Sequence, residues 1–180
     1  MISIFSHSDI VYSMTTLSDL ELQSLTQNTA HYLLNKIWYL TCAESCTGGW
    51  VAKCCTDLAG SSAWFERGFV TYSNQAKQDC LRVKATTLEQ FGAVSEQTAI
   101  EMAEGAIDAS QANISLAITG IAGPDGGTKH NPVGSIWFAW ALRSGSVITK
   151  HHVFKGDRDA VRRQAVAMAL QGVIDIVKAK

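Results

Sequence analysis

The feature that most limits how this chain can fold is the alternation of helical patterns with short, continuously apolar segments of strand length. Through the first two-thirds of the sequence, each apolar segment leads through a polar turn into a helical pattern. Such alternation is typical of parallel strands joined by helical crossovers. Near the C-terminus, two apolar segments are separated only by Ser144-Gly145, which predicts a hairpin. We therefore predict an α/β fold: a three-layer α/β/α sandwich with a mixed, mostly parallel sheet carrying one antiparallel strand.

The local patterns also predict where the elements begin and end. Ser18 and Glu21 form a capping box that opens the first helix, whose apolar positions extend to Ile37. Other helices are predicted from the Thr47-Gly48-Gly49 turn to about Gly60, from Ser73 or Asn74, after Ser95, and from Asp157. The predicted strands cover residues 38–43, 65–72, 114–119, 133–142 and 147–154.

Length and composition favour one ordinary domain. The chain has 180 residues, of which 47% are hydrophobic and 17% charged, with no repeat or linker pattern. We expect a single domain over residues 17–180, with residues 1–16 as a loose N-terminal arm because they show no clean periodicity. The net charge of -1 offers no basic footprint for nucleic acid. No apolar run approaches the ~20 residues needed to cross a bilayer, so we expect neither nucleic-acid nor membrane partners.

Cysteine and histidine usage points to a metal-free protein of a reducing compartment. The five cysteines form an odd set without a Cys-x-x-Cys pair, and no signal-peptide pattern precedes them. A cytoplasmic location is therefore expected. His151 and His152 are adjacent in a predicted strand, so they point to opposite faces and make a poor shared ligand pair. We predict no metal site and no cofactor.

The first candidate for chemistry is the turn Glu44-Ser45-Cys46-Thr47-Gly48-Gly49. In open α/β sheets, ligands bind outside the carboxyl ends of the strands. This turn follows a predicted buried strand and leads into a helix, whose free N–H groups and dipole favour negative charge. It could therefore hold a nucleophile or an anion. The alternative is that Ser45 or Thr47 merely caps the helix and that the glycines relieve backbone crowding.

The second candidate is the segment Tyr72-Ser73-Asn74-Gln75-Ala76-Lys77, which follows the next strand. Lys77 falls in the first turn of a helix, where the dipole disfavours a cation and would help keep the amine neutral. A neutral lysine near a serine at adjacent strand ends makes a Ser/Lys nucleophile pair possible. The alternative is an exposed Lys77 and a Tyr72 at the edge of the core.

The third candidate is the glycine-rich loop at residues 119–128, together with Arg158. Such a loop can direct several backbone N–H groups at a phosphate or carbonyl oxygen, although it matches neither a P-loop nor a dinucleotide fingerprint. The alternative is an ordinary flexible loop. Arg158, at the start of the last helix, is suited to bidentate contact with phosphate or carboxylate, unless it pairs with Asp157 or Asp159.

Taken together, these segments resemble a known family. The motifs are Ala43-Glu44-Ser45-Cys46-Thr47-Gly48-Gly49, Tyr72 to Lys77, Gly92-Ala93-Val94-Ser95-Glu96, Thr119 to Pro124 with Pro132-Val133-Gly134, and Gly156-Asp157-Arg158. In this order they resemble the CinA C-terminal domain family of nicotinamide-nucleotide amidases, over about residues 20–178. Longer members of that family carry a further N-terminal domain that this sequence lacks, so a stand-alone amidase is expected.

The resemblance implies a reaction and a set of site residues. The reaction is hydrolysis of nicotinamide mononucleotide (NMN) to nicotinate mononucleotide and ammonia, without a cofactor, by a homodimer. The implied catalytic residues are Ser45 as nucleophile, Tyr72 and Lys77, and the implied substrate-binding arginine is Arg158. Substrate contacts are expected at the helix start and the glycine-rich loop, namely Cys46, Thr47, Gly48, Thr119, Gly120 and Gly123.

Two alternatives remain open from the sequence. Cys46 could be the nucleophile, because a thiol at a helix start would have a lowered pKa. From another class of function, the chain could be a binding or regulatory module for a phosphoribosyl ligand, with no turnover.

Overall fold

A computed structural model describes residues 17–180, and the predicted N-terminal arm lies outside them. The sheet has five strands in the order β2-β1-β3-β4-β5, and β4 alone runs opposite to the others. This confirms the predicted mixed sheet with one antiparallel strand. The strands are β1 (Leu40–Glu44), β2 (Phe65–Val70), β3 (Ile114–Gly120), β4 (Ser135–Leu142) and β5 (Val147–Val153).

Helices cover both faces of the sheet, which completes the predicted three layers. Helices α1, α2 and α6 pack on one face, and α3, α4 and α5 lie on the other. Among residues 17–180, no helix is long and apolar enough to cross a membrane. The helices are α1 (Asp19–Lys36), α2 (Trp50–Thr56), α3 (Asn74–Leu81), α4 (Ala85–Phe91), α5 (Glu96–Asp108) and α6 (Arg158–Lys178).

The two faces of the sheet bury side chains of different size. On the α6 side, β3 presents the branched residues Leu116 and Ile118. On the α5 side it presents Ala117, beside Ala139 and Ala141 of β4. Side chains alternate between the faces of a strand, so this pattern is a direct consequence of the sequence. The alanine face allows α5 to pack close to the sheet, and the larger face forms the main core against α6.

Several element boundaries differ from the predictions. The first strand begins at Leu40, not at residue 38, and the second ends at Val70, before Tyr72. Strand β4 begins at Ser135 instead of residue 133, and β5 ends at Val153. Helix α2 ends at Thr56, and a short 3-10 turn at Ser61–Ala63 follows it, so the predicted helix to Gly60 was too long.

Two helical predictions also need correction. Helix α4 was not predicted, because its seven residues include two adjacent threonines and little apolar periodicity. Ile37 does not extend the apolar face of α1: it ends the helix with a φ of 55° and is 84% exposed. The capping box of Ser18 and Glu21 is confirmed by reciprocal hydrogen bonds. The caps at Ser73 and Asp157 are confirmed as well.

This topology brings the three candidate segments to one edge of the sheet. Strands β1, β2 and β3 run parallel, so the residues that follow Glu44, Val70 and Gly120 emerge on the same side. Helix α6 also begins there, directly after β5. The three candidate segments, which lie tens of residues apart in the sequence, therefore lie close together at this edge of the sheet.

Candidate active site

The side chains of Ser45 and Lys77 meet at this edge. The Lys77 amine lies 3.0 Å from Ser45 Oγ, and it donates hydrogen bonds to the carbonyl oxygens of Thr71 at 2.8 Å and Tyr72 at 3.2 Å. Helix α3 positions the amine because Ser73 caps the helix, accepting from Ala76 N–H at 3.0 Å. The predicted approach of serine and lysine is therefore present, and the alternative of an exposed Lys77 is wrong.

Burial sets the ionisation of this lysine. Lys77 is only 1% exposed, and desolvation of its cationic form lowers the pKa of the amine below the usual lysine value. From the sequence, the helix dipole was expected to keep this amine neutral, whereas in the structure the main cause is its removal from water. A lowered pKa increases the fraction of neutral amine near pH 7, and only the neutral form can accept a proton from a hydroxyl.

The turn that carries Ser45 is organised by the residue before it. Glu44 is fully buried, and its carboxylate accepts hydrogen bonds from the N–H groups of Gly49 at 3.1 Å, Val51 at 3.1 Å and Ala52 at 2.9 Å. These are orphan donors of the α2 N-terminus, which every helix must satisfy. Glu44 therefore caps α2 from within the protein. The alternative that Ser45 or Thr47 caps this helix is wrong.

This internal cap changes what the start of α2 can do. From the sequence, the free N–H groups of the helix start were expected to favour a nucleophile or an anion. Glu44 already occupies three of them with its own charge. The N–H group that remains a candidate for an oxyanion is that of Cys46, which directly follows the serine and is not a donor to Glu44.

Cys46 is not activated by its position. Burial raises the pKa of the Cys46 thiol to about 12, with Glu44 contributing in the same direction. The expected lowering at a helix start is therefore wrong, because the thiol is 6% exposed and packs in the hydrophobic core. A thiol with so high a pKa is almost entirely protonated at neutral pH, and the thiol is a poor nucleophile.

Tyr72 and Arg158 meet at the outer part of the site. Tyr72 is 64% exposed, and its hydroxyl accepts a 3.5 Å hydrogen bond from the Arg158 guanidinium. Arg158 also donates to the Gly123 carbonyl at 2.8 Å, so the alternative of pairing with Asp157 or Asp159 is wrong. The phenol is thus associated with Arg158, and Tyr72 reaches Lys77 through its backbone carbonyl.

A cavity of about 280 Å³ joins these groups. It is lined by eight of the predicted residues, and these are Ser45, Cys46, Tyr72, Lys77, Thr119, Gly120, Gly123 and Arg158. It also touches residues that were named only as parts of motifs or of the glycine-rich loop, namely Ala93, Val94, Ile121, Ala122 and Asp125. Thr47 and Gly48 do not line it: Thr47 is fully buried, and Gly48 faces a separate cleft between α1 and α2.

The start of the glycine-rich loop is held in place, and so is Asn131 just after the loop. A Cβ atom on Gly120 would lie 2.5 Å from the Ser135 carbonyl oxygen, so only glycine fits this close approach to β4. Thr119 Oγ1 donates to the Ala93 carbonyl at 2.7 Å, and Asn131 donates to the Val94 carbonyl at 3.0 Å. The part of the loop next to Thr119 and Gly120 is therefore fixed at the wall of the cavity.

Sequence reasoning missed two charged residues that shape the site. Glu44 was quoted only as part of the turn, although a carboxylate at a strand end, just before several free helix N–H groups, was a usable signal. Arg162 lies one helical turn after Arg158 and donates to the carbonyls of Cys46 at 3.1 Å and Thr47 at 2.8 Å. Its i,i+4 spacing from Arg158 placed both on one helix face.

Comparison with known proteins identifies the family. The model of the CinA C-terminal domain matches residues 22–177. The chain belongs to the CinA C-terminal domain family. It is 56% identical over 155 residues to the nicotinamide-nucleotide amidohydrolase PncC of Escherichia coli K12. The aligned residues cover 86% of this chain and 94% of that protein.

Solved structures of CinA superfamily proteins agree with this assignment. One from Klebsiella pneumoniae superposes with a TM-score of 0.85 at 40% identity, covering 88% of this chain and 99% of that one. A competence/damage inducible protein from Agrobacterium tumefaciens gives a TM-score of 0.84 at 42% identity, covering 87% and 95% of the two chains. These solved relatives therefore share the α/β/α fold of this chain.

Proposed function

We propose that this chain is a nicotinamide-nucleotide amidohydrolase that converts NMN to nicotinate mononucleotide and ammonia. The observation that carries the proposal is the 3.0 Å contact between the buried Lys77 amine and Ser45 Oγ, at the wall of a cavity. A serine next to a lysine of lowered pKa is the arrangement that serine–lysine acyl transfer requires. The high identity to PncC over most of both chains supports the choice of substrate.

The hydrogen bonds of Lys77 support a role as general base. A neutral amine has two N–H groups and one lone pair. The carbonyls of Thr71 and Tyr72 accept the two N–H groups, which leaves the lone pair for the hydroxyl of Ser45. In that state Ser45 donates its proton to Lys77 and attacks the carboxamide carbon. The direct contact makes a relay through the Tyr72 hydroxyl unnecessary.

The remaining steps of the reaction need only Ser45, Lys77 and one water molecule. Attack by Ser45 forms a tetrahedral intermediate, whose oxyanion we assign to the N–H group of Cys46, which lines the cavity. The Lys77 ammonium then gives its proton to the leaving nitrogen, so that ammonia departs and an acyl-enzyme remains. Water, deprotonated by Lys77, attacks the ester carbon, and nicotinate mononucleotide leaves as Ser45 regains its proton.

Binding of the phosphoribosyl part is assigned to the outer cavity. Arg158 is exposed next to Tyr72, and its guanidinium suits the bidentate recognition of a phosphate. The ordered loop around Gly120 and Gly123 forms the adjoining wall. Contacts remote from the carboxamide supply binding energy that orients the reacting carbon. The cationic pyridinium of NMN withdraws electrons from the carboxamide, which favours NMN over free nicotinamide.

The proposal includes an assembly and a compartment. We propose a cytoplasmic homodimer, the assembly that the family resemblance implies. Light scattering of the purified protein measures the mass, and a value equal to one chain would contradict the dimer. The free cysteines among residues 17–180 agree with a reducing compartment.

The deciding experiment is an ammonia-release assay with NMN, paired with calorimetry. We expect wild type to release ammonia and Ser45→Ala to bind NMN without releasing it. Binding by wild type without any ammonia would instead favour the alternative of a ligand-binding module. If wild type shows no binding of NMN and releases no ammonia from it, NMN is rejected as the ligand.

A further inference from the structure

The turn that carries Ser45 is held by a second charged residue in addition to Glu44. Arg162 of α6 donates from Nε to the carbonyl of Cys46 and from Nη2 to the carbonyl of Thr47. These are the first two residues after the proposed nucleophile. They lie more than a hundred positions from Arg162 in the sequence, so a tertiary contact alone creates this link.

The contact restrains a peptide group that is also bound to Ser45. The Thr47 carbonyl and the Gly48 N–H belong to one planar trans peptide, in which they point in opposite directions. The carbonyl is held by Arg162 at 2.8 Å, and the N–H donates to the Ser45 carbonyl at 3.1 Å. Rotation of this peptide would break both bonds. Arg162 therefore limits the backbone conformations open to the nucleophile turn.

The guanidinium is itself held in a fixed position. Its carbon lies 5.1 Å from the centroid of the Trp50 ring, at the start of α2, which is a cation–π distance. Arg162 does not line the Ser45 cavity but faces the separate cleft between α1 and α2. A substrate in the Ser45 cavity would not touch it, so any effect on catalysis must act through the turn.

We propose that Arg162 is a positioning residue that fixes the Ser45 turn and aligns the Cys46 N–H group for the oxyanion. The inference rests on the proposed function and adds a residue to it. Loss of the two carbonyl contacts lets the turn relax, and a displacement of about 1 Å can cost roughly 100-fold in rate. The effect falls on the chemical step, because the substrate contacts lie elsewhere.

The chain provides a matched control in the neighbouring Arg163. Its guanidinium also lies over Trp50, at 4.9 Å, but it pairs with Asp19 and makes no bond to the turn. We would compare Arg162→Met with Arg163→Met, since methionine keeps the apolar part of the side chain. Arg162→Met should lower kcat for NMN roughly 10- to 100-fold with KM unchanged. Arg163→Met should retain wild-type kcat.

Two further measurements separate positioning from general loss of structure. Added guanidinium ion should restore part of the kcat of Arg162→Ala, since it can enter the cleft and bind the two carbonyls, and it should not affect Arg163→Ala. Arg162→Lys should recover less than the native residue, because an ammonium lacks the planar fork that reaches both oxygens. Equal kcat for the two methionine variants, or a change confined to KM, would overturn the inference.

A probe of Ser45 that needs no substrate keeps this test independent of the proposed function. A fluorophosphonate phosphonylates activated serines with loss of fluoride, so its rate at Ser45 reports the geometry of the turn. We expect slower labelling of Arg162→Met than of Arg163→Met. If wild type releases no ammonia from NMN, the proposed function fails, while slow labelling of Arg162→Met still supports positioning. Equal labelling of both variants rejects positioning, even where NMN is hydrolysed.

Discussion

At the scale of single residues, burial decides which side chains of the site can react. Lys77 and Cys46 both lose contact with water, and burial destabilises the charged form of each. The consequence is opposite for the two groups. The lysine becomes a better base because its neutral form is favoured, whereas the cysteine loses the thiolate that would make it a nucleophile.

Replacement of Lys77 tests its role as the base. We expect Lys77→Met to lower the rate of ammonia release by roughly 10²- to 10⁴-fold, the usual contribution of a general base. In wild type, kcat/KM should rise with pH as the Lys77 amine loses its proton, at a pH below the usual lysine value. Rates of Lys77→Met that match wild type at every pH would remove this lysine from the mechanism.

The lowered pKa of Lys77 also predicts how stability depends on pH. Between the folded pKa and the ordinary value near ~10.4, the unfolded chain binds one more proton, so the free energy of unfolding rises with pH. Relative to Lys77→Met, wild type should gain at most about 1.4 kcal/mol per pH unit in this window. Urea unfolding measures it. Lys53→Met is the control: Asp57 raises the pKa of this exposed lysine, so no such gain is expected.

Separate replacement of Ser45 and Cys46 decides between the two nucleophiles. Ser45→Ala should abolish ammonia release, and Cys46→Ala should retain most of it. Since burial raises the pKa of the Cys46 thiol to about 12, wild type should also resist iodoacetamide labelling at Cys46 near neutral pH. An inactive Cys46→Ala protein with an active Ser45→Ala protein would reverse the assignment.

At the scale of elements, the start of α2 depends on a charge supplied from the preceding strand. Gly49 is the N-cap residue of α2 and has no side chain to accept from the helix N–H groups. Glu44, at the end of β1, takes that place with its buried carboxylate. Strand, turn and helix are therefore joined through one side chain, and the turn between them carries Ser45.

Substitution of this carboxylate tests the connection. In Glu44→Gln, one acceptor oxygen becomes an amide donor that faces helix N–H groups, and we expect the free energy of unfolding to fall by about 1–3 kcal/mol. Glu21→Gln is the matched control, because glutamine is also accepted in a capping box and the site on α1 is exposed. Urea unfolding of both variants measures the difference. Equal stabilities would mean that the internal cap contributes nothing.

The contact between α6 and the glycine-rich loop makes a prediction about substrate choice. If Arg158 binds the phosphate of NMN, Arg158→Gln should raise KM for NMN by roughly 10- to 100-fold, the loss of a charged hydrogen bond. The same change should leave KM for nicotinamide riboside, which lacks the phosphate, near its wild-type value. Parallel increases for both substrates would assign Arg158 to the shape of the loop instead.

At the scale of the whole molecule, the docking of α6 on the sheet places Arg158 and Arg162 at the site. This docking depends on a close fit between Gly172 and Trp140. The indole N–H of Trp140 donates to the Ala169 carbonyl at 3.0 Å, and a Cβ on Gly172 would lie 2.2 Å from Trp140 Cζ2. The helix can approach the sheet so closely only because no side chain stands between them.

The substitution Gly172→Ala has two opposing effects: alanine has a higher helix propensity than glycine, but its methyl group collides with Trp140. Alanine favours the helix by about 1 kcal/mol, but overpacking a rigid, buried ring costs about 1–3 kcal/mol or more. We therefore expect a net loss of up to about 2 kcal/mol in the free energy of unfolding. Gln171→Ala, one residue away, should change it by less than about 0.5 kcal/mol. A stabilised Gly172→Ala protein would show that the contact relaxes without cost.

Much of this protein could be predicted from local patterns in its sequence. Alternating apolar segments and helical periodicity are short-range properties, and they were sufficient for the three layers and the single antiparallel strand. The caps at Ser18, Ser73 and Asp157 follow from neighbouring residues and were predicted as well. Because parallel strands end at one edge, the meeting of Ser45 and Lys77 could also be expected.

Other properties of the site depend on contacts between residues far apart in the chain. The pKa values of Lys77 and Cys46 follow from how much water the folded core excludes, and no sequence pattern records that. Likewise, Arg162 reaches the Ser45 turn only because α6 docks beside α2. Desolvation and long-range hydrogen bonds exist only in the folded chain. The sequence could therefore indicate which residues form the site, but not their ionisation or their exact hydrogen-bond partners.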